Sequence, residues 1–256
     1  MNRMKGFSRR PLFSVDAEGY GRSHPRRQHW IQDAIDRVLT QAATEVGFER
    51  ERWQTQLAGD SAFSVLGADE SEPLLVDDFV RHLDSGLREV NDGREADARL
   101  RLRAAFHHGV AVPARGGFSD HGAVETARIL DCKPLREALR LSPSAVLAVA
   151  VSREVFHTVI GGAYTTLRAE EFREARVRSK EFDDAVWIRV PGGDVHALGS
   201  LEGGEPPVAP AAPGVPTAPA QPAAPAQTPV RDQKAELVFE APVHGSVIGI
   251  VNEYRA

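Results

Sequence analysis

Two aspartates in glycine-containing turns are the residues of this chain best suited to chemistry. Asp16 ends an apolar, strand-like run and precedes a turn that contains Gly19, and Asp60 follows Gly59 between two further strand-like runs. A carboxylate at a strand end can bind a hard cation, and the backbone N–H groups of a glycine-containing turn before a helix can bind an anion. The sequence therefore indicates a site for a metal ion and a phosphate. For each segment taken alone, the alternative is that it forms a turn and has no further function.

The elements between the two aspartates predict that their carboxylates meet. Apolar residues at helical spacing indicate a helix over 28–46, and two alternating runs within 53–66 indicate a β-hairpin. In a split βαβ unit with this order, the third strand returns antiparallel beside the first. The hairpin tip would then lie at the end of the first strand. There Asp16 and Asp60 would repel each other unless a cation such as Mg²⁺ or Mn²⁺ lay between them.

The elements that follow predict a mixed α/β domain. We expect a helix over 71–90, a strand over 100–112 and a loop at 113–118. A helix from near Gly122 and a short helix over 135–141 should follow. After them we expect a buried strand over 145–151, a short helix over 153–160 and a hairpin within 172–190 that turns at Asp183 and Asp184. His107 and His108 are adjacent on a strand and point to opposite faces, so we do not expect them to share a metal ion. One of them is expected in the core and the other at the surface.

Composition excludes several classes of protein. The net charge of −5 gives no general attraction to nucleic acid, and the single cysteine, Cys132, excludes a disulfide within the chain. No apolar run approaches the length that crosses a bilayer, and the first residues lack the apolar core of a signal peptide. We therefore expect a cytoplasmic protein that binds neither nucleic acid nor a membrane.

The C-terminal part of the chain has a different composition. Proline recurs among alanines over 206–229, which favours an extended, disordered linker. A β-rich sequence follows, and because a short hairpin is marginally stable alone, we expect it to contact the main domain or a protein partner. The predicted organisation is a domain over 1–195, a Pro/Ala-rich linker over 196–232 and a C-terminal β-rich segment over 233–256.

Three segments of the chain resemble the class III nucleotidyl cyclases, the family of adenylate and guanylate cyclases. Residues 13–20 are similar to the family's first metal-aspartate strand, 59–66 to its Gly-Asp hairpin, and 100–110 to its strand that ends in Ile-His-x-Gly. The resemblance spans about residues 12–190 and is closer to a divergent actinobacterial branch found in signalling or defence systems. It implies an α/β (α+β) fold, the ferredoxin-like βαββαβ cyclase domain.

The resemblance also implies roles for particular residues in the cyclisation of a nucleoside triphosphate. Asp16 and Asp60 would hold two Mg²⁺ or Mn²⁺ ions, Arg128 would stabilise the transition state, and Lys180 would neutralise the leaving pyrophosphate. Phosphate would be bound by the backbone N–H groups of Glu18, Gly19, Tyr20 and Gly21. In this family the metal site and the Arg and Lys side chains come from opposite subunits, so the implied assembly is a homodimer with a composite active site.

Ordinary structural roles are the alternatives for two of these residues. Arg128 would then be a helix-surface arginine that pairs with Asp131 or Glu125, and Lys180 would be an exposed strand lysine. An arginine suits the proposed catalytic role because its planar fork of donors matches the phosphate oxygens over which charge spreads.

Three positions depart from the family's pattern. Gln56 stands where the family has a base-reading lysine, and Gly117 lies at or near the position of its partner aspartate. Val124 stands where the family has an asparagine, four residues before Arg128, unless a shift of one residue places Glu125 there. These departures leave the base of the nucleotide undetermined. They also leave a second hypothesis, a catalytically inactive cyclase-like module that binds a nucleotide or serves as an adaptor.

Overall fold

The computed structural model describes residues 8–114, 117–179 and 182–201. Lys180 lies outside the described residues, as do the predicted Pro/Ala-rich linker from 202 onward and the C-terminal β-rich segment. Within the described part of the chain, no helix is long and apolar enough to cross a bilayer.

The first four strands and their helices have the predicted arrangement. β1 (Arg10–Ala17) leads through α1 (Pro25–Glu45) to the hairpin of β2 (Gln54–Ala58) and β3 (Ser61–Val65). β3 returns antiparallel beside β1, and β4 (Leu102–Gly109) pairs with the other edge of β1. The strand order β2-β3-β1-β4 is that of the ferredoxin-like βαββαβ unit, which confirms the predicted fold class.

Three further strands extend the sheet beyond β4. β7 (Leu147–Ser152) pairs parallel with β4, and β9 (Phe182–Arg189) and β8 (Arg173–Ser179) follow as antiparallel neighbours. Every residue of β7 is buried, as its continuous apolar run predicts. A separate two-stranded ribbon, β5 (Val112–Ala114) and β6 (Gly117–Ser119), connects β4 to the next helix.

Helices cover the two faces of the sheet. On one face α1 and α3 (Asp78–Val90) bury the largest cluster of apolar side chains, which includes Phe13 and Val15 of β1. On the other face α4 (His121–Leu130) and α5 (Lys133–Arg140) cover a second cluster. Because successive strand residues alternate between faces, Asp16 points to the face that carries α4.

Asp77 breaks the helix that the sequence predicts over 71–90. The structure has α2 (Glu72–Val76) and α3 instead, and Asp77 between them is not helical, with φ −110° and ψ −82°. Its carboxylate accepts hydrogen bonds of 2.7 Å from the backbone N–H and the hydroxyl of Thr166. This distant partner fixes the break, and the local sequence pattern gives no sign of it.

The turn of the last hairpin is also shifted from its predicted place. Asp183 and Asp184 do not form the turn but belong to β9, where they pair opposite Arg178 and Val177. The two strands run over Arg173–Ser179 and Phe182–Arg189, and residues 180–181 between them lie outside the described residues. Asp183 bonds across the ladder to an arginine of β8 at 2.8 Å, so it is a strand residue with an ion-pair partner.

One other local prediction was wrong. The predicted loop at 113–118 contains most of the β5–β6 ribbon, which Phe118 fixes to the main sheet through an edge contact with Phe63 of β3, at 5.3 Å between ring centroids. The predicted short helix over 153–160 is confirmed in its bounds: it begins as an α-helical turn, α6 (Arg153–Val155), and continues as a π-helical stretch, Phe156–Ile160.

The packed part of the chain extends beyond the predicted boundary at residue 195. Leu201 is buried in the second apolar cluster. The Arg173 side chain holds this segment, since its Nη1 donates to the carbonyls of Leu198 at 2.9 Å and Gly199 at 3.1 Å.

Candidate active site

The β2–β3 hairpin brings Asp60 to the end of β1, beside Asp16. Asp16 is the ladder partner of Ser61, and the N–H of Ala17 donates to the carbonyl of Asp60 at 3.2 Å. Gly59 has φ +61°, a left-handed conformation that suits glycine in a tight hairpin turn. The two carboxylates are therefore neighbours, as the sequence predicts.

Burial makes both carboxyl groups less acidic than usual. It raises the pKa of Asp16 to about 6, although Arg103 beside it acts to lower that value, and the charge of Asp60 raises it further. Burial also raises the pKa of Asp60. Two carboxylates held close together with little water favour a cation between them, because each destabilises the charged form of the other.

Arg103 is a residue of this candidate site that the sequence analysis did not single out. It lies on β4 directly opposite Asp16, its Nε donates to Asp16 Oδ1 at 3.0 Å, and its Nη2 donates to Oδ2. The Asp16 and Arg103 side chains are only 18% and 13% exposed. Alternation along β4 could have placed Arg103 on the same face as His107. The sequence did not reveal the β1–β4 register that sets it against Asp16.

The turn after β1 is fixed by contacts to the hairpin. The Tyr20 hydroxyl accepts a hydrogen bond from Gln32 at 2.7 Å. The Tyr20 ring lies over Gly59, since a Cβ at Gly59 would be 3.5 Å from a carbon of the ring. The Glu18 N–H donates to the carbonyl of Arg101 at 2.9 Å, so it is not available to a phosphate, contrary to the role expected for it. Within the described chain, the N–H groups of Gly19, Tyr20 and Gly21 have no acceptor.

Gln56 and Gly117 meet on the same face of the sheet as Asp16. Gln56 pairs opposite Phe63, two residues along β3 from the partner of Asp16, so the side chains of Gln56 and Asp16 point to one side. A Cβ at Gly117 would lie 2.2 Å from Gln56 Oε1, and Gly117 has φ +149°. The Gln56 amide therefore fills the space that a side chain at residue 117 would need.

On α4 and just after it, the carboxylates of Glu125 and Asp131 pair with residues other than Arg128. Glu125 turns inward to His107 on β4, with 2.9 Å between Oε2 and Nε2, and Asp131 pairs with Arg136. Neither carboxylate holds Arg128, which makes no ion pair with any residue that the structure describes. Val124, four residues before Arg128, is 53% exposed.

Comparison with known proteins gives matches among solved structures only. No protein-family model matches the sequence, and no curated protein does. An adenylate/guanylate cyclase/hydrolase from Silicibacter pomeroyi matches with a TM-score of 0.50 and 16% identity, over 73% of this chain and 99% of that chain. The chain has the class III nucleotidyl cyclase fold. This likeness is one of fold.

Other cyclase structures are similar at lower scores. The guanylyl cyclase Cya2 is 17% identical, with a TM-score of 0.47 over 75% of this chain and 98% of that chain. The adenylyl cyclase CyaB from P. aeruginosa is 13% identical, with a TM-score of 0.42 over 71% of this chain and 93% of that chain.

The carboxylates of this cyclase fold fit a hard divalent cation. Magnesium is commonly held by one or two carboxylates, with water and substrate phosphates as the other ligands. Asp16 and Asp60 supply such a pair, and the Arg103 guanidinium already places positive charge against one of them. In residues 8–114, 117–179 and 182–201 there is no group of three or more His, Cys, Asp or Glu side chains suited to a metal ion. A metal held by Asp16 and Asp60 would take its remaining ligands from beyond these described side chains, such as water and substrate phosphates.

The adjacent histidines lie on opposite faces of β4, as predicted. His107 is buried, bonded to Glu125 of α4, and burial lowers its pKa. His108 is partly exposed and pairs through Nδ1 with Glu72 at the start of α2. Both histidines thus have structural partners, and they do not share a site.

Proposed function

We propose that this chain is a nucleotidyl cyclase, which converts a nucleoside triphosphate to a 3′,5′-cyclic nucleotide and pyrophosphate. The observation that carries the proposal is the convergence of Asp16 and Asp60 at the end of β1, in a chain with the cyclase fold. Mg²⁺ or Mn²⁺ held by these two carboxylates would lower the pKa of the 3′-hydroxyl and neutralise charge on the triphosphate.

The side chains and backbone of this protein would orient the substrate and stabilise developing charge. The N–H groups of Gly19, Tyr20 and Gly21 are available to donate to phosphate oxygens. The 3′-hydroxyl gives its proton to solvent as its oxygen bonds to the α-phosphorus, and the bond from the α-phosphorus to the pyrophosphate oxygen breaks, with the electron pair leaving on pyrophosphate. Arg128 donates to the oxygens that gain charge in this step, and Lys180 neutralises the leaving group.

A second copy of the chain would complete the active site. Arg128 lacks an ion-pair partner among the described residues, and Val124 beside it is an exposed apolar side chain. Both features suit a surface that is covered in a homodimer, where the α4 arginine of one subunit reaches the nucleotide held by the carboxylates of the other. The cyclic product would act as a messenger in a bacterial signalling or defence system, with the C-terminal segment contacting a protein partner.

A catalytically inactive, nucleotide-binding module is the second candidate. Arg103 occupies both oxygens of Asp16, and the Gln56 amide fills the space at Gly117. A module of this kind would bind a nucleotide without forming product.

Product analysis distinguishes the two candidates. The full chain is incubated with Mn²⁺ and, separately, ATP, GTP, CTP or UTP, and cyclic monophosphates are sought by mass spectrometry. Asp60→Asn is the test variant. Asp36→Asn is its matched control, since Asp36 is a 64% exposed carboxylate paired with Arg50 at 2.8 Å. We expect a cyclic product from the wild type and from Asp36→Asn but not from Asp60→Asn. Nucleotide binding without product in the wild type would instead establish the module.

A further inference from the structure

Five arginines beside the proposed phosphate-binding turn have no ion-pair partner among the residues that the structure describes. Most of the other described arginines do form an ion pair. The five lie just before α1, in its first turn and in the segment between α3 and β4: Arg22, Arg26, Arg27, Arg94 and Arg99. We call them the arginine surface.

Neutral groups hold these side chains in place. The Arg27 Nη2 donates to the carbonyls of Asp97 at 3.1 Å and Arg99 at 3.4 Å, which joins the start of α1 to the segment before β4. The Arg94 guanidinium lies over the Trp30 ring, 3.9 Å from its centroid. Carbonyl oxygens and an aromatic ring orient a guanidinium, but they carry no net charge to set against it. The positive charge of the surface therefore persists.

The arginine surface is opposite in charge to the chain as a whole. The segments 22–30 and 91–99 carry five arginines and three carboxylates, Asp92, Glu95 and Asp97, whereas the chain has a net charge of −5. Three of the five arginine side chains are exposed, and two are partly exposed. An anion is therefore repelled by the chain as a whole and attracted at this place, within a Debye length of about 10 Å at 0.1 M ionic strength.

The arginine surface lies at the end of the sheet that holds the proposed nucleotide site. Arg22 is beside the phosphate-binding turn, since a Cβ at Gly19 would lie 3.6 Å from Arg22 Nη2. The segment that contains Arg99 leads into β4, and β4 begins at Leu102, which pairs with Ala17 at the end of β1. The surface therefore extends outward from the turn that would receive the phosphates.

From these observations we infer that the arginine surface attracts the nucleoside triphosphate from solution and guides it to the turn at Gly19. The inference rests on the proposed nucleotide site. A triphosphate carries several negative charges, and charge of opposite sign around a site raises association rates by roughly 10- to 10³-fold at low ionic strength. Because this attraction acts before contact, it changes the association rate constant and leaves the dissociation rate constant almost unchanged.

Stopped-flow fluorescence tests this inference without a measurement of activity. The full chain with Mn²⁺ is mixed with the 2′-O-methylanthraniloyl-3′-deoxy derivative of ATP, GTP, CTP or UTP, which lacks the hydroxyl that cyclisation needs. Arg26→Glu/Arg99→Glu is the test variant, because both side chains are exposed and Arg99 donates only to the carbonyl of Arg94, at 3.3 Å. At an ionic strength of about 10 mM we expect its association rate constant to be about tenfold or more below that of the wild type. The difference should shrink toward about 1 M, where the Debye length is about 3 Å.

A matched control changes the net charge by the same amount at other places. Arg37→Glu/Arg168→Glu serves this purpose. Arg37 is exposed and lies about three turns beyond Arg26 on α1. Arg168 is 72% exposed and pairs with Glu170 at 3.2 Å. We expect this variant to associate with the labelled nucleotide at close to the wild-type rate, because its changed charges lie away from the arginine surface.

Three results would overturn the inference: association of the test variant at the wild-type rate, an equal loss in the control variant, or a loss that is the same at every ionic strength. If Arg26→Glu/Arg99→Glu does not fold, Arg26→Gln/Arg99→Gln serves instead and should give a smaller loss with the same dependence on salt. Absence of cyclic product, with association that depends on the arginine surface, would contradict the proposed function alone. Cyclic product with association that is independent of the surface would contradict this inference alone. A wild type that binds no labelled nucleotide would contradict both.

Discussion

The carboxylate pair and the Gln56–Gly117 pair lie on one face of the sheet and depend on the same hairpin, yet they relate differently to the cyclase pattern. Asp16 and Asp60 have the residue types that the proposed reaction would require, and the backbone brings them together. Gln56 and Gly117 differ from the family's base-reading pair, and the larger side chain fills the space left by the smaller. We propose that the groups for the chemistry and the groups for base selection are separable in this chain.

Removing one carboxylate should have the largest effect, and it should be the same for every base. Asp16→Asn and Asp60→Asn each keep the shape of the side chain but remove the charge that holds the cation. We expect the rate of product formation to fall by roughly 10³-fold or more for each nucleotide, because metal assistance contributes several kcal/mol. Initial rates with each nucleoside triphosphate measure this. A loss confined to one base would contradict the separation of the two pairs.

Removing the α4 arginine should have an effect of similar or smaller size. Arg128→Met is expected to lower kcat by about 10³-fold or more, as for arginines that stabilise a phosphoryl-transfer transition state. The Tm should not change, since Arg128 has no ion pair within the described chain. Arg136→Met, which breaks a pair with Asp131, is the control that should retain activity. Full activity of Arg128→Met would show that Arg128 is an ordinary surface residue.

Changing the Gln56 side chain should alter which base is used while product is still formed. Gln56→Ala removes the amide that lies against Gly117, and one lost hydrogen bond to a base changes relative kcat/KM by roughly tenfold. The ratios of the cyclic products measure the shift. Unchanged ratios would show that Gln56 has a packing role alone.

The smallest expected effect is on stability and lies outside both pairs. Burial lowers the pKa of His107, so between that lowered value and the ordinary 6.5 the unfolded chain binds more protons than the folded one. The contribution of His107 to the unfolding free energy should therefore decrease as the pH falls below 6.5, whereas Asp16, whose pKa is raised to about 6, acts in the opposite direction as the pH falls below 6. The charges of Glu125, Glu154, Arg9 and His108 act on this group. Urea unfolding from pH 5 to pH 7.5 measures how the unfolding free energy depends on pH. His107→Gln should make this dependence less steep and leave the nucleotide preference unchanged. An unaltered pH dependence would show that other groups cause it.

Local patterns in the sequence were sufficient to predict the part of the fold that positions the carboxylates. Apolar periodicity and the Gly59 turn predicted the order of β1, α1 and the β2–β3 hairpin, and from that order the meeting of Asp16 and Asp60 followed. These features depend on neighbours in the chain, which is why they could be predicted.

What the sequence did not reveal depends on distant partners. The break at Asp77 is fixed by Thr166, 89 residues away. Arg103 meets Asp16 only through the register of β1 against β4, and no local pattern encodes that register. The place of Gln56 against Gly117 likewise depends on a contact between two separate hairpins.

A competition experiment tests the central claim most directly. The full chain is given Mn²⁺ and an equimolar mixture of ATP, GTP, CTP and UTP, and all cyclic monophosphates are quantified in one mass spectrum, for the wild type, Asp60→Asn and Gln56→Ala. We expect the wild type to form cyclic product, Asp60→Asn to lose every product, and Gln56→Ala to change their ratio. Absence of any cyclic product from the wild type, with Mn²⁺-dependent nucleotide binding retained, would contradict the account.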